Sequence, residues 1–113
     1  MRRAARLDEN HRAVVNAFER CGCTVLSLAG VGFGAPDLAV GVSGQTLLVE
    51  VKPDVGEKRR RNPRENQVAF AASWRGGPVH VVRTVKEAWE LARLVRMGWR
   101  NGVPPRVGVG VEC

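Results

Sequence analysis

Two short runs decide the fold: PDLAVGV over Pro36–Val42 and QTLLVEVK over Gln45–Lys52, with only Ser43-Gly44 between them. Both are rich in valine and leucine and alternate in character with a period of two, the pattern of a β-strand. Side chains on a strand point alternately to its two faces. In the second run Leu47, Val49 and Val51 share one face, and Leu48, Glu50 and Lys52 share the other. In the first, Leu38, Val40 and Val42 share one face, and Asp37, Ala39 and Gly41 the other. The Ser-Gly step is a tight-turn signal, so the two runs are expected to pair as a hairpin. That pairing would let Asp37 and Glu50 meet at one end of the sheet, with Lys52 one step beyond.

Upstream of the hairpin, Ala29–Ala35 is a glycine-rich loop and 24–28 (TVLSL) a short β-rich run. Residues 8–21 have helical spacing: Val14, Val15 and Phe18 form the stripe, with Leu7 and His11 behind them. Asp8 or Asn10 is a possible cap and Gly22 a stop. Downstream, Pro53–Asn62 is a polar, basic loop. A second helix is expected from Pro63 to about Trp74, with Asn62 as N-cap, Pro63 at the first helical position and Glu65 as the capping-box acid. Gly76-Gly77 ends it, and 78–83 (PVHVVR) is another strand. Thr84 caps a third helix with Glu87 completing its box, and Ala88, Leu91, Ala92 and Val95 form its buried stripe. Residues 97–113 are rich in Gly, Pro and Val; the alternation of Val107, Val109 and Val111 suits an edge strand or a tail. The order α-β-β-β-α-β-α predicts an α/β (α+β) domain, a central mixed sheet flanked by helices. A single domain over 1–113 is expected, with its core at about 8–96 and a C-terminal extension over 97–113.

A chain of 113 residues, 44% hydrophobic, is long enough for one core and not two. Its formal charge of +7, from 18 Lys+Arg against 11 Asp+Glu, favours a polyanionic partner, most commonly nucleic acid. No apolar run is long enough to span a bilayer, and no basic helix carries the broad apolar face of a membrane-surface binder. The basic start lacks an apolar signal core, and the three cysteines (Cys21, Cys23, Cys113) are odd in number, so a reducing, cytoplasmic setting is expected. Cys21 and Cys23 are spaced too closely for a zinc knuckle and have no second pair; three thiols are the simpler reading.

Two carboxylates and one ammonium on a common surface suit hydrolysis of a phosphodiester. Carboxylate oxygens are hard ligands for Mg²⁺ or Mn²⁺, and such an ion polarises the phosphoryl group and acidifies a bound water. A lysine adds a compact positive charge that can orient the nucleophile or offset charge growing at phosphorus. Taken together, Pro36-Asp37 and Glu50-Val51-Lys52 resemble the motif of the PD-(D/E)xK nuclease superfamily, over roughly residues 8–95. Either half alone is ordinary turn or strand-edge chemistry; both in order, on adjacent strands before a helix, carry the resemblance. GVGFGAPDLAV, LLVEVK, a basic loop and a helix with a glutamine look most like small VRR-NUC domains of phages and bacteria, whose core is similar to that of archaeal Holliday-junction resolvases.

The resemblance implies a restriction-endonuclease-like core and a metal-dependent DNA endonuclease that leaves a 5′-phosphate. It implies Asp37 and Glu50 as metal ligands, the Val51 carbonyl as a further ligand, Lys52 as the catalytic base-side residue and Gln67 beside the site. It also implies an acid on the first helix, for which Glu9 is the choice, ahead of Asp8 and Glu19; on the helical wheel Glu9 lies away from Val14 and Phe18. Expected substrates are branched, junction or flap DNA, in recombination, repair or phage DNA processing, with a possible homodimer carrying two sites. Two alternatives remain: a non-catalytic DNA-binding module on the same fold, and a nuclease subunit active only within a larger complex.

The basic run Lys58-Arg59-Arg60-Arg61, with Arg64, follows the motif strand and is expected to contact phosphates; Arg2, Arg3 and Arg6 extend that surface or fray. Gly30-Val31-Gly32-Phe33-Gly34 lacks dinucleotide-binding spacing and opens a strand rather than a helix, so it reads as a loop near the site. Pro53-Asp54 repeats the Pro-Asp pair without a following acid-x-lysine strand and reads as a loop. His11 reads as a packed histidine, His80 as a strand residue, and Trp74, Trp89 and Trp99 as core or interface.

Overall fold

The turn at Ser43-Gly44 has both residues in the left-handed region, Ser43 at φ 49 and Gly44 at φ 78. That is the requirement of a type I′ hairpin, whose twist matches that of the strands it joins. It connects β2 (Leu38–Val42) to β3 (Gln45–Val51), antiparallel, with Leu38 opposite Val49 and Val42 opposite Gln45. The structure is a computed structural model that describes residues 2–53 and 65–99, with the backbone alone over 2–8.

Around the hairpin, β1 (Thr24–Ser27) pairs antiparallel with β2, placing Val25 opposite Val40. On the far side β4 (Val79–Val82) runs parallel to β3, with Val51 beside Val82. A parallel partner needs a crossover, and α2 (Glu65–Ser73) lies within it. With α1 (Arg2–Arg20) and α3 (Val85–Arg96), the described residues form a small α+β domain: a four-stranded mixed sheet in the order β1-β2-β3-β4 and three helices.

One sheet face makes the core. Leu38, Val40, Val42, Leu47, Val49 and Val82 are buried there, beneath Val14, Ala17 and Phe18 of α1 and Ala88, Leu91, Ala92 and Val95 of α3. Both alternations predicted for the hairpin are therefore obeyed on this side. The two helices also pack on each other. Burying a side chain of Val, Leu or Phe size contributes about 1.5–3 kcal/mol each. Arg96 donates to the carbonyl of Cys21 and ties the end of α3 to the turn after α1. Cys21 and Cys23 are buried, and neither is in a disulfide among the described residues.

The Thr84 cap of α3 forms as expected, while the Glu87 side chain reaches past Thr84 to the residue before it. Thr84 accepts from the backbone of Glu87 at 3.1 Å, and the Glu87 carboxylate accepts from the Arg83 backbone at 2.6 Å. The start of α1 differs from expectation. The helix reaches back to Arg2, so Asp8 and Asn10 lie within it and cap nothing. Residues 2–7 (RRAARL) are strong helix formers with no breaker before the predicted start, so the helix propagates through them. The expected Asn62–Pro63 cap of α2 and the strand or tail at Val107–Val111 lie outside the described residues.

The second sheet face is sparsely covered. Leu26 and Val81 are 63% and 48% exposed, and α2 buries no residue. Trp74 stacks on Phe70 with ring centroids 5.2 Å apart and stays half exposed, as does Trp89. Trp99 packs against the core and meets the His80 ring edge-on at 5.2 Å. Among the described residues no helix is long and apolar enough to cross a membrane.

Phe18 has no solvent exposure, so Phe18→Ala should lower the unfolding free energy by about 3–5 kcal/mol in urea titrations. Burial holds His80 below its ordinary pKa of 6.5. The unfolded chain then binds a proton that the folded chain resists, so this contribution is complete above about pH 6.5 and is lost as pH falls toward the depressed folded value. The thermal midpoint should decline between pH 7 and 5, and His80→Phe should flatten that decline; an unchanged slope would exclude His80 as its source.

Candidate active site

The paired ladder of β2 and β3 ends at Leu38 and Val49. One step further the same register sets Asp37 opposite Glu50, both on the face away from the core. Beyond the last rung the Val51 N–H has no strand carbonyl on that side. The Asp37 carboxylate takes it, Oδ2 accepting at 2.8 Å. The Asp37 carbonyl meanwhile accepts from the Leu28 N–H at 2.7 Å. The residue is thus held from both neighbouring strands' sides, and its carboxylate serves as a substitute rung.

Glu50 is 9% exposed, the one buried charged residue of the described set. Burying a carboxylate costs several kcal/mol unless donors or cations meet it. Gln67, on the first turns of α2, supplies one donor, its Nε2 lying 2.8 Å from Glu50 Oε2. Since α2 buries no apolar stripe, this polar contact is part of what ties the helix to β3.

Lys52 follows β3 and is fixed through its backbone. Its N–H donates to the Val82 carbonyl at 3.1 Å, and its own carbonyl accepts from Asn10 Nδ2 at 3.1 Å. Thus Val82 of β4 and Asn10 of α1 both hold the backbone of Lys52 at this end of the sheet. Arg83 occupies the corresponding place after β4, and its guanidinium donates to the Pro53 carbonyl at 3.4 Å. A second cation therefore stands at the same edge.

An open cleft of about 280 Å³ adjoins Asp37 and Gln67. Leu28, Ala29 and the run Gly32–Asp37 form one wall; Asn66 and Gln67 of α2 form the other. Asp37 and Gln67 face the cleft, and Glu50 is joined to it through Gln67. The glycine-rich loop is thus beside the site, as its sequence position suggested.

Of the residues singled out in the sequence, Val51 bonds Asp37 and Gln67 bonds Glu50, two pairs joined by the Glu50–Val51 peptide, and Lys52 follows Val51 at the same strand end. Glu9 is not brought to them: it is exposed, and among the described residues no three of His, Cys, Asp and Glu gather into a group able to hold a metal ion. The helix spacing gives the reason. Asn10 is four residues before Val14 and eight before Phe18, on the sheet-facing stripe, whereas Glu9 is turned off it. Asn10 is therefore the α1 residue that hydrogen-bonds the chain just after β3. That periodicity was present in the sequence, but a search for an acid passes over an amide. Glu19 is exposed near the other end of α1. The side chain of Asp8, together with Lys58, Arg59, Arg60, Arg61 and Arg64, lies outside the described residues, as do Asp54 and the side chains of Arg2, Arg3 and Arg6. Arg83 carried no motif signal; only the parallel register of β4 brings it to this edge.

Comparison with protein-family models, with curated proteins and with solved structures finds no match to this chain.

The double role of Asp37 can be separated by substitution. Asp37→Ala orphans the Val51 N–H and should cost about 1–3 kcal/mol of stability by chemical denaturation. Asp37→Asn keeps an acceptor there and should retain most of that stability while removing the charge. An alanine variant as stable as the wild type would mean that the substitute rung contributes nothing.

Proposed function

We propose that this chain is a Mg²⁺- or Mn²⁺-dependent endonuclease of the PD-(D/E)xK kind, on a restriction-endonuclease-like core, that hydrolyses DNA phosphodiesters. The observation that carries this reading is the junction of Asp37, Glu50 and Lys52 at one strand end, with Asp37 bonded to the Val51 N–H and Glu50 bonded to Gln67. A bland alternative, a solvated cross-strand ion pair, would not bury Glu50 or recruit a glutamine from a separate helix to it.

The donor set fits a hard divalent cation. Asp37 and Glu50 would be its carboxylate ligands and the Val51 carbonyl a third oxygen; Mg²⁺ commonly takes one or two carboxylates and keeps water for the rest. When bound, such an ion supplies Lewis acidity at the phosphoryl group. Asp37 is preorganised for this, since its Oδ2 is committed to a backbone donor and its orientation is thereby set. Gln67 orients Glu50. Lys52 offers a positive charge where negative charge grows on the phosphate oxygens, and its tied backbone limits the reorganisation that this needs. Arg83 adds positive potential at the same edge. The charge of +7 draws the polyanion to the surface, with Lys58, Arg59, Arg60, Arg61 and Arg64 as the phosphate-contacting segment.

So small a domain has little surface for reading a long sequence. We therefore propose structure-selective cutting of branched, junction or flap DNA; the resemblance adds a 5′-phosphate product, and a homodimer would place two sites on two strands.

Purified protein with Mg²⁺ or Mn²⁺ should nick junction or flap substrates, and chelation should stop it. Asp37→Asn and Lys52→Ala should each lower the cleavage rate roughly 100-fold or more, the scale of losing one electrostatic contact in a transition state, with DNA binding retained. Cleavage unchanged in both variants would remove the proposal.

A further inference from the structure

The feature left unused by this chemistry is Phe33. It is 88% exposed, the most solvent-accessible large apolar side chain among the described residues. Its backbone is in the left-handed region at φ 54, between Gly32 at φ 80 and Gly34 at φ 79. Glycine adopts that conformation freely, whereas a bulky residue is strained in it. Three consecutive left-handed residues therefore turn the chain outward with an aromatic ring at the apex. Such strain persists where surrounding structure enforces it, and it concentrates at ligand-contacting positions.

What enforces it here is α2. Gly34 lies so close to the helix that a Cβ there would run into the carbonyl of Asn66. The loop thus rests on the same helical turn that sends Gln67 to Glu50. Phe33 also lines the cleft that Asp37 and Gln67 line. One unit then carries both the carboxylate site and a ring held in solvent at its rim. An aromatic in that position beside a phosphodiester site has a chemically matched occupant, since a nucleobase can stack on its face and is the apolar part of the polyanion that the charge of +7 attracts.

We infer that Phe33 is a stacking platform for an unpaired nucleobase next to the phosphodiester held at Asp37, Glu50 and Lys52. This rests on the nuclease reading for its substrate and narrows that substrate. Bases inside a continuous duplex offer no free face, so the ring selects flaps, branch points and single-stranded segments. It binds by stacking, without base-edge hydrogen bonds, and is therefore tolerant of sequence.

The test uses the full chain in EDTA, so that binding is read without cleavage. Fluorescence anisotropy compares a labelled 5′-flap substrate, the same flap with abasic sites at its unpaired positions next to the branch, and a fully paired duplex. Phe33→Ala should weaken binding to the flap about 10- to 100-fold, the range of losing one base–aromatic stack. It should leave the abasic flap and the duplex unchanged, and Phe33→Trp should restore flap affinity. Equal losses on all three DNAs, or no loss on the flap, overturns the inference. So does a change in sedimentation without a change in flap affinity, which would make the ring a contact between copies of the chain. Because Phe33 is outside the core, its variants should melt as the wild type does. The two proposals fail separately. Phe33-dependent flap binding in a protein that cuts nothing with Mg²⁺ or Mn²⁺ refutes the nuclease and keeps the platform. Normal cleavage and flap affinity in Phe33→Ala refute the platform and keep the nuclease.

Discussion

The register of the β2–β3 hairpin is the constraint on which the remainder depends. Side chains alternate with a period of two, so a slip of one residue would send Leu38, Val40 and Val49 into solvent and turn Asp37 and Glu50 into the core. Two features prevent the slip. The left-handed pair Ser43-Gly44 admits only one turn geometry, and the apolar face is sealed by Val14, Phe18, Leu91 and Val95 from two helices. The carboxylates therefore have fixed positions because hydrophobic burial on the opposite face fixes them. The site is a by-product of packing in this sense: its geometry is bought by residues that never touch it.

The same constraint accounts for the asymmetry of the domain. One sheet face carries the core and both amphipathic helices. The other carries Glu50, with α2 held over it through Gln67 and through the close approach of Gly34 to Asn66. A helix attached by a hydrogen bond and a glycine contact is held less firmly than one attached by an apolar stripe. Asn66 and Gln67 of α2 form one wall of the cleft, and the loop that leads into β2, with Leu28, Ala29 and Gly32–Asp37, forms the other. The close approach of Gly34 to Asn66 joins the two walls, so a movement of one carries the other.

At the open end of the sheet the chain uses backbone ties rather than side-chain packing. Val51 donates to Asp37, Lys52 donates to Val82 and accepts from Asn10, and Pro53 accepts from Arg83. Three successive residues are thereby engaged by β2's leading acid, by β4 and by α1. The geometry suits a place where charge must be presented to solvent without freedom to wander, since each tie removes a backbone rotation at the point where the functional side chains leave the sheet.

The sequence by itself determined the elements, their order, the two faces of the hairpin and the register that sets Asp37 opposite Glu50. Those follow from local rules, namely side-chain period, turn residues and cap residues, which operate within a few positions of one another. Its misses share one cause. The early start of α1, the presence of Asn10 in place of Glu9 at β3, the arrival of Arg83 beside Lys52 and the mounting of Phe33 on α2 all depend on which residues meet across long separations. Asn10 and Lys52 are 42 positions apart, and no periodicity within a helix states which strand end its stripe will reach. The tertiary structure decided that, because the packing of α1 and α3 on one face sets where α1 ends over the sheet. The crossover of β4 sets what stands beside β3, and a missing Cβ at Gly34 sets how closely the loop and α2 approach.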